Sequence, residues 1–204
     1  MKISSFDNNN MMYANILKNV SKCIILTEEE ITQFTDLLTT RKVPKKTMLL
    51  QEGEICQFEG YLQKGCVRIY YLDENGFEVT LAFAVEDWWI SDIASFHYHI
   101  PSSLYMETLE ECELLMLTPE TKEKLLDTIP KFERVFRMLV QRRLAVLQNR
   151  LIHTMAKPAT ERYLEFIDLY PTISQRVPQY YIASYLGVSP EFVSIIRKRL
   201  ATGK

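Results

Sequence analysis

Twenty residues near the end of the chain, Gln179 to Lys198 in "QYYIASYLGVSPEFVSIIRK", constrain the fold more than any other stretch. Two short helices crossing closely around a tight turn need small and apolar groups at fixed positions. Ile182, Leu186, Val188, Val193 and Ile196 fall where such helices must bury apolar groups, and Ala183 falls at their closest approach. Gly187 takes the turn position that needs a positive φ, which a residue with a Cβ resists. Ser189, Pro190 and Glu191 then read as N-cap, N1 and N2 of a second helix, with the acid near its positive end. Seven positions agreeing within twenty predict a helix-turn-helix.

Ahead of it the pattern changes twice. "LTEEEITQFTDLL" (26–38) predicts a short helix with a Thr27/Glu30 capping box and Ile31, Phe34, Leu37 and Leu38 on one face. Within 66–85 the period falls to two: Val67, Ile69 and Tyr71 alternate with Arg68, Tyr70 and Leu72. Asn75-Gly76 supplies a tight turn, and Phe77, Val79, Leu81, Phe83 and Val85 alternate after it, so a two-stranded antiparallel unit is expected. Gly53 and Gly65 punctuate neighbouring strand-like runs, and 102–117 adds one or two strands. Thr118-Pro119 has the form of an N-cap followed by N1 proline. From Lys131 to about Met155 the pattern is helical, a length of roughly 37 Å at 1.5 Å per residue. Phe132, Phe136 and Leu139 form one apolar face of that helix, and Val140, Leu144, Leu147, Leu151 and Met155 another. One face packs on the β-layer and the other seeks a partner helix. Pro158 breaks the pattern, and "ATERYLEFIDLYP" (159–171) forms a further helix ended by Pro171. The expected fold class is α+β. It has an antiparallel β-roll with its N-terminal helix over 1–130, a long dimerisation helix over 131–157 and a helix-turn-helix domain over 158–204.

Charge separates the two ends. The net charge is −2, but residues 131–204 carry 13 Lys/Arg against 5 Asp/Glu and the remainder 11 against 21. A basic back behind an acidic front points to a polyanion as the partner of the back. The second helix of the motif offers Ser189, Pro190, Glu191, Ser194, Ile195 and Lys198 to a DNA major groove. Glu accepts from cytosine N4, Ser reads several edges, and Ile meets a thymine methyl. Arg197, Lys198 and Arg199 suit phosphate contacts. No apolar run approaches the ~20 residues of a membrane span, the best being "VTLAFAV" at 79–85, and "MKISSFDNNNMM" lacks a signal peptide's apolar stretch. A cytoplasmic protein without membrane contact is expected. Cys23, Cys56, Cys66 and Cys112 are scattered without a close pair, which predicts buried free thiols and neither disulfides nor an iron–sulfur cluster.

Roll, long helix and C-terminal helix-turn-helix together resemble the cyclic-AMP receptor protein/FNR family of bacterial transcription regulators. "RKVPKKTMLLQEGEICQFEGYLQKGCVRIYYLDENGFEVTLAF" is similar to the family's roll, and "ERYLEFIDLYPTISQRVPQYYIASYLGVSPEFVSIIRKRL" to the DNA-binding half of its Bacteroidetes-type members. The resemblance covers about residues 25–200. It implies a homodimer with paired long helices, double-stranded DNA and RNA polymerase as partners, no enzymatic activity, and ligand control from a pocket between roll and helix. Family members often follow the recognition helix with a hairpin wing. Only "ATGK" follows Leu200 here, so a helical domain without a full wing is expected, with Lys204 joining the three helix cations.

One departure bears on the ligand. The family's cyclic-nucleotide binders carry Gly-Glu and, about ten residues on, Arg-Ser or Arg-Thr; the acid holds the ribose and the Arg neutralises the phosphate. Ser91-Asp92 and Ser102-Ser103 stand there in this chain. The acid survives and the cation is gone, so cyclic AMP is not expected as effector. Trp89, Ser91, Asp92, Ser102 and Ser103 are then the candidate pocket for another small ligand or none, with Trp88 and Trp89 as amphipathic walls. Ile195 also replaces the guanine-reading Arg of many members. Two alternatives come from other classes. A β-roll binding module could use its helix-turn-helix for protein contacts only. A cupin-like metalloenzyme would build on His97 and His99 in "HYH" as two ligands on one strand face.

Overall fold

The structure, a computed structural model, describes residues 5–202. Helices α1 (Ser5–Ser21) and α2 (Glu28–Asp36) lead into strands β1 (Thr39–Val43), β2 (Met48–Leu50) and β3 (Glu59–Lys64). Strands β4 (Val67–Leu72), β5 (Glu78–Ala84) and β6 (Trp89–Ile90) follow, then helix α3 (Ile93–Tyr98) and strands β7 (Tyr105–Thr108) and β8 (Cys112–Leu117). Helices α4 (Pro119–Thr128), α5 (Phe132–Ala156), α6 (Ala159–Leu169), α7 (Ile173–Arg176), α8 (Gln179–Leu186) and α9 (Pro190–Thr202) complete the described chain. The fold is α+β, an antiparallel roll followed by helices.

Among the described residues the strands form two antiparallel sheets, ordered β1-β8-β3-β6 and β2-β7-β4-β5. Leu50, Leu62, Val67, Ile69, Met106 and Leu114 fill the space between them. α1, α2, α4 and α5 cover the outer face of the first sheet, where Phe34, Tyr61, Leu115, Leu117 and Phe132 are buried. The capping boxes at Thr27 and Thr118 set the starts of α2 and α4; Thr27 Oγ1 accepts from Glu30 N–H while Glu30 accepts from Thr27 N–H at 2.7 Å. Helix α1 is an element the polar start of the chain does not announce. Its signal is the spacing of Tyr13, Ile16, Leu17 and Val20, and Ile16 and Val20 are fully buried.

The β4–β5 hairpin forms as expected, but its turn spans Asp73–Phe77 rather than two residues. Asp73 Oδ1 accepts from Asn75 and Phe77 N–H, both at 2.9 Å, and Gly76 adopts φ 80. Alternation does not translate into one wet face. Val67 to Tyr70 are all buried, because the C-terminal helices cover the sheet's outer side. Ala82 and Ala84 face the roll interior, while Phe83 joins Tyr163, Phe166, Tyr170 and Ile182 in the core of the C-terminal helices.

α5 is a helix of 25 residues. Phe132 and Val135 are buried against the roll, with Phe136 and Leu139 half-buried beside them. Val140, Leu144, Leu147 and Leu151 lie on the surface. Pro158 separates α5 from α6 with an extended ψ of 152. No helix of the described residues is long and apolar enough to cross a membrane.

Candidate nucleic-acid interface and effector cavity

The helix-turn-helix is built as the seven positions require. Ile182, Ala183, Leu186, Val193 and Ile196 are buried and Val188 is half-buried. Gly187 sits at φ 66 in the left-handed region, and Val188 N–H closes the turn on Ala183 O at 3.1 Å. Ser189 Oγ accepts from Phe192 N–H at 3.2 Å, which starts α9. Gln179 Nε2 fastens the two helices by donating to Pro190 O and to Ser194 Oγ, each at 2.6 Å. The Glu191 carboxyl is held below the usual carboxylate range by its own backbone N–H and then by Ser189. Ser189, Pro190, Glu191, Ser194, Ile195, Arg197, Lys198 and Arg199 are all exposed. Lys204 lies outside the described residues, and so does the question of a wing.

The module is seated on the second sheet. Ser184 Oγ donates to Glu78 O at 2.8 Å and accepts from Thr80 N–H at 2.9 Å, so a helix side chain completes the β5 edge. Arg150 of α5 donates to Thr80 O, Leu81 O and Tyr185 O. Arg68, 1 % exposed, lies between the Tyr70 and Tyr181 rings at 3.9 and 3.7 Å and pairs with Glu78 and Glu107. Arg176 reaches both Glu86 and Glu110 and the Gly65 carbonyl. Composition gave no signal for this seat, since its partners come from distant parts of the chain.

At the cassette position the acid is already occupied. Asp92 caps α3, its Oδ1 accepting from Ala94 and Ser95 N–H at 3.1 and 3.2 Å. Its Oδ2 accepts from Ser102 Oγ at 2.7 Å. Ser102 is held in turn by Gly53 N–H and Glu54 O, both at 2.8 Å. Ser103 is exposed. A cavity of about 670 Å³ lies beside this knot, between roll, α1, α3 and α5, with Trp88, Trp89, Ser91, Phe96, Phe136 and Arg143 in its wall. Trp89 and Ser91 of the expected pocket line it; Asp92, Ser102 and Ser103 do not. Arg68 is engaged under α8, on the other side of its strand from the roll core, and brings no cation to the cassette.

His97 lies on α3 and His99 at its left-handed end with φ 54, so the pair does not share a strand face. Among the described residues no group of three or more His, Cys, Asp or Glu is placed to hold a metal. All four cysteines are free thiols; burial pushes Cys66 up to about 12 and Cys112 up to about 11.

The chain thus combines an antiparallel roll, a long α5 and a helix-turn-helix whose second helix presents an exposed face. Residues 40–128 match the family model described as the cyclic nucleotide-binding domain, so the roll carries that domain. Among curated proteins none matches the chain. Among solved structures, the c-di-GMP responsive global regulator CLP of Xanthomonas campestris is similar at 18% identity and TM-score 0.67, over 87% of this chain and 93% of that one. FixK2 from Bradyrhizobium japonicum is similar at 19% identity and TM-score 0.70, over 81% and 85%. A putative transcriptional regulator of the Crp/Fnr family from Eubacterium rectale gives 19% and 0.66, over 87% and 85%.

Proposed function

We propose that the chain is a dimeric, DNA-binding transcription regulator of the cytoplasm, without enzymatic activity, whose roll answers to something other than a cyclic nucleotide. The observation that carries this reading is the division of labour in α8 and α9. The side chains that pack the two helices together, Ile182, Ala183, Leu186, Val188, Val193 and Ile196, are buried or half-buried, and all eight residues suited to bases and phosphates are exposed. Val140, Leu144, Leu147 and Leu151 are 49, 54, 45 and 62 % exposed along α5, a stripe that a second copy would cover. Pairing through it would set two recognition helices for successive major grooves of a near-palindromic site, about 34 Å apart. RNA polymerase is the further partner such a regulator would meet.

The Asp92–Ser102 bond supports the ligand half of the reading. A cyclic phosphate at the cassette would face Asp92 with no cation and would have to displace Ser102. Selection from random duplex pools at low salt, with the intact chain, is the deciding experiment. Enrichment of a near-palindromic motif is expected. Failure to enrich any motif would overturn the reading and leave the module as a protein-contact surface.

A further inference from the structure

The 670 Å³ cavity has a shape, a charge and a neighbour that together specify an occupant. Along α5 its wall runs from Phe136 to Val146, about 15 Å at 1.5 Å rise per residue. Ile69, Ile90, Ile93, Phe96 and Leu139 supply much of the remaining surface. A trough of that length with aliphatic and aromatic walls suits an elongated apolar body rather than a compact polar nucleotide.

Its charge is unbalanced. Four cations, Lys22, Lys122, Arg142 and Arg143, face two carboxylates, Glu59 and Asp87. Lys122 pairs with Glu59 at 2.9 Å and Lys22 with Asp87 at 3.4 Å. Arg142 and Arg143 also line the wall and make no ion pair among the described residues, so the cavity carries two cations beyond those its carboxylates pair with. A carboxylate fits them in the forked geometry that guanidinium favours.

The neighbour is the DNA-binding half. Trp88 lines the cavity and its ring also stacks on Tyr170, at 5.4 Å between centroids and 28° between planes. Tyr170 is buried and touches the Phe166 and Tyr185 rings at 5.1 and 6.0 Å, inside the core shared by α6 and α8. One indole therefore separates the cavity from the helix-turn-helix core. Val140 belongs both to the cavity wall and to the exposed stripe of α5, so a second copy on that stripe would adjoin the cavity's rim.

We infer that this cavity binds an elongated amphipathic carboxylate, with its head at Arg142 and Arg143 and its chain along Trp88, Phe96 and Phe136. Occupancy is passed to the DNA-binding half through Trp88 and Tyr170. The binding step stands independently of the regulator reading; the passage to DNA rests on it.

The test uses the full chain with decanoate and its neutral counterpart decanol, both below micelle-forming concentration. Trp88 and Trp89 are the two tryptophans of the chain and both line the cavity, so binding is read by their fluorescence and by calorimetry. Decanoate should bind saturably at one molecule per chain. Arg142→Gln with Arg143→Gln should weaken decanoate by about tenfold or more, through loss of the charge-assisted contacts, and leave decanol unchanged. Hydrogen exchange in α6 and α8 should change on adding decanoate to the wild type. Equal affinity for decanoate and decanol, or no saturable binding of decanoate, would each overturn the assignment. Decanoate binding with unchanged exchange in α6 and α8 would overturn the relay alone. Binding in a protein that enriches no DNA motif would sink the regulator reading and leave the cavity assignment standing.

Discussion

Replacing Arg176 by Leu should loosen the seat of the C-terminal helices on the roll. Its Nε and Nη2 donate to Glu110 at 3.0 and 2.7 Å, its Nη1 and Nη2 to Glu86 at 2.7 and 2.8 Å, and Nη2 also to Gly65 O at 2.8 Å. The Arg176 side chain is 18 % exposed, so its loss leaves two part-buried carboxylates without their partner. Truncating one partner of a fully buried ion pair costs about 3–5 kcal/mol. Glu86 and Glu110 keep 44 and 30 % of their side-chain surface in water, which screens the change and brings it to about 2–3 kcal/mol. Urea unfolding at pH 7 reads this directly. The variant should lose that amount, or show an early transition in which α6–α9 separate from the roll. The pH dependence has a definite sign. Burial alone would raise the Glu86 carboxyl, but the Arg176 and backbone hydrogen bonds and the Arg176 charge outweigh it, and its folded value lies below the ordinary 4.5. A carboxyl so depressed contributes stability above its unfolded value and loses it as pH falls through the folded one. The gap between wild type and Arg176→Leu should therefore hold at pH 6–7 and shrink below about pH 4.5. A variant within about 0.5 kcal/mol of wild type at pH 7 would refute the account, because surface substitutions away from specific contacts fall in that range.

Leu144→Asp with Leu147→Asp should yield monomers in sedimentation, by placing charges in the exposed stripe; a wild type that sediments as a monomer at micromolar concentration would remove the basis for the dimer. Cyclic AMP and cyclic GMP should give no saturable heat at millimolar concentration, since Ser102 holds Asp92 where a cation would be needed; a micromolar dissociation constant would contradict this. Arg197→Glu with Arg199→Glu should abolish DNA binding, and wild-type affinity should fall with salt at a log–log slope of about 0.9 per phosphate contact. Ile195→Ala should chiefly change which sequence is preferred, and unaltered preference would argue against its contact with bases.

Features whose physics is local were legible in the sequence. Gly187, Ser189 and the buried positions of α8 and α9 each answer a requirement set within a turn or two. Thr27 and Thr118 likewise begin their helices for reasons contained in the next three residues. What could not be read depends on partners far along the chain. Arg68 alternates like a solvent-facing strand residue, yet Tyr181 covers it. Asp92 and Ser102 were legible as a cassette without its cation, but ten residues of helix and turn hide that their side chains meet. The cavity shows the same limit most clearly. The sequence has Ser102 where the cyclic-nucleotide binders of the family it resembles carry an Arg, and from the cassette alone that reads as a site without positive charge. Folding brings Arg142 and Arg143 of α5 to the wall of the cavity beside the knot, so positive charge is present there from the long helix. That helix also carries the stripe a second copy would cover, so a ligand drawn to these arginines and a partner drawn to the stripe would act on one element. By linkage, any effect of the ligand on pairing through the stripe is matched by an equal effect of pairing on the ligand's affinity.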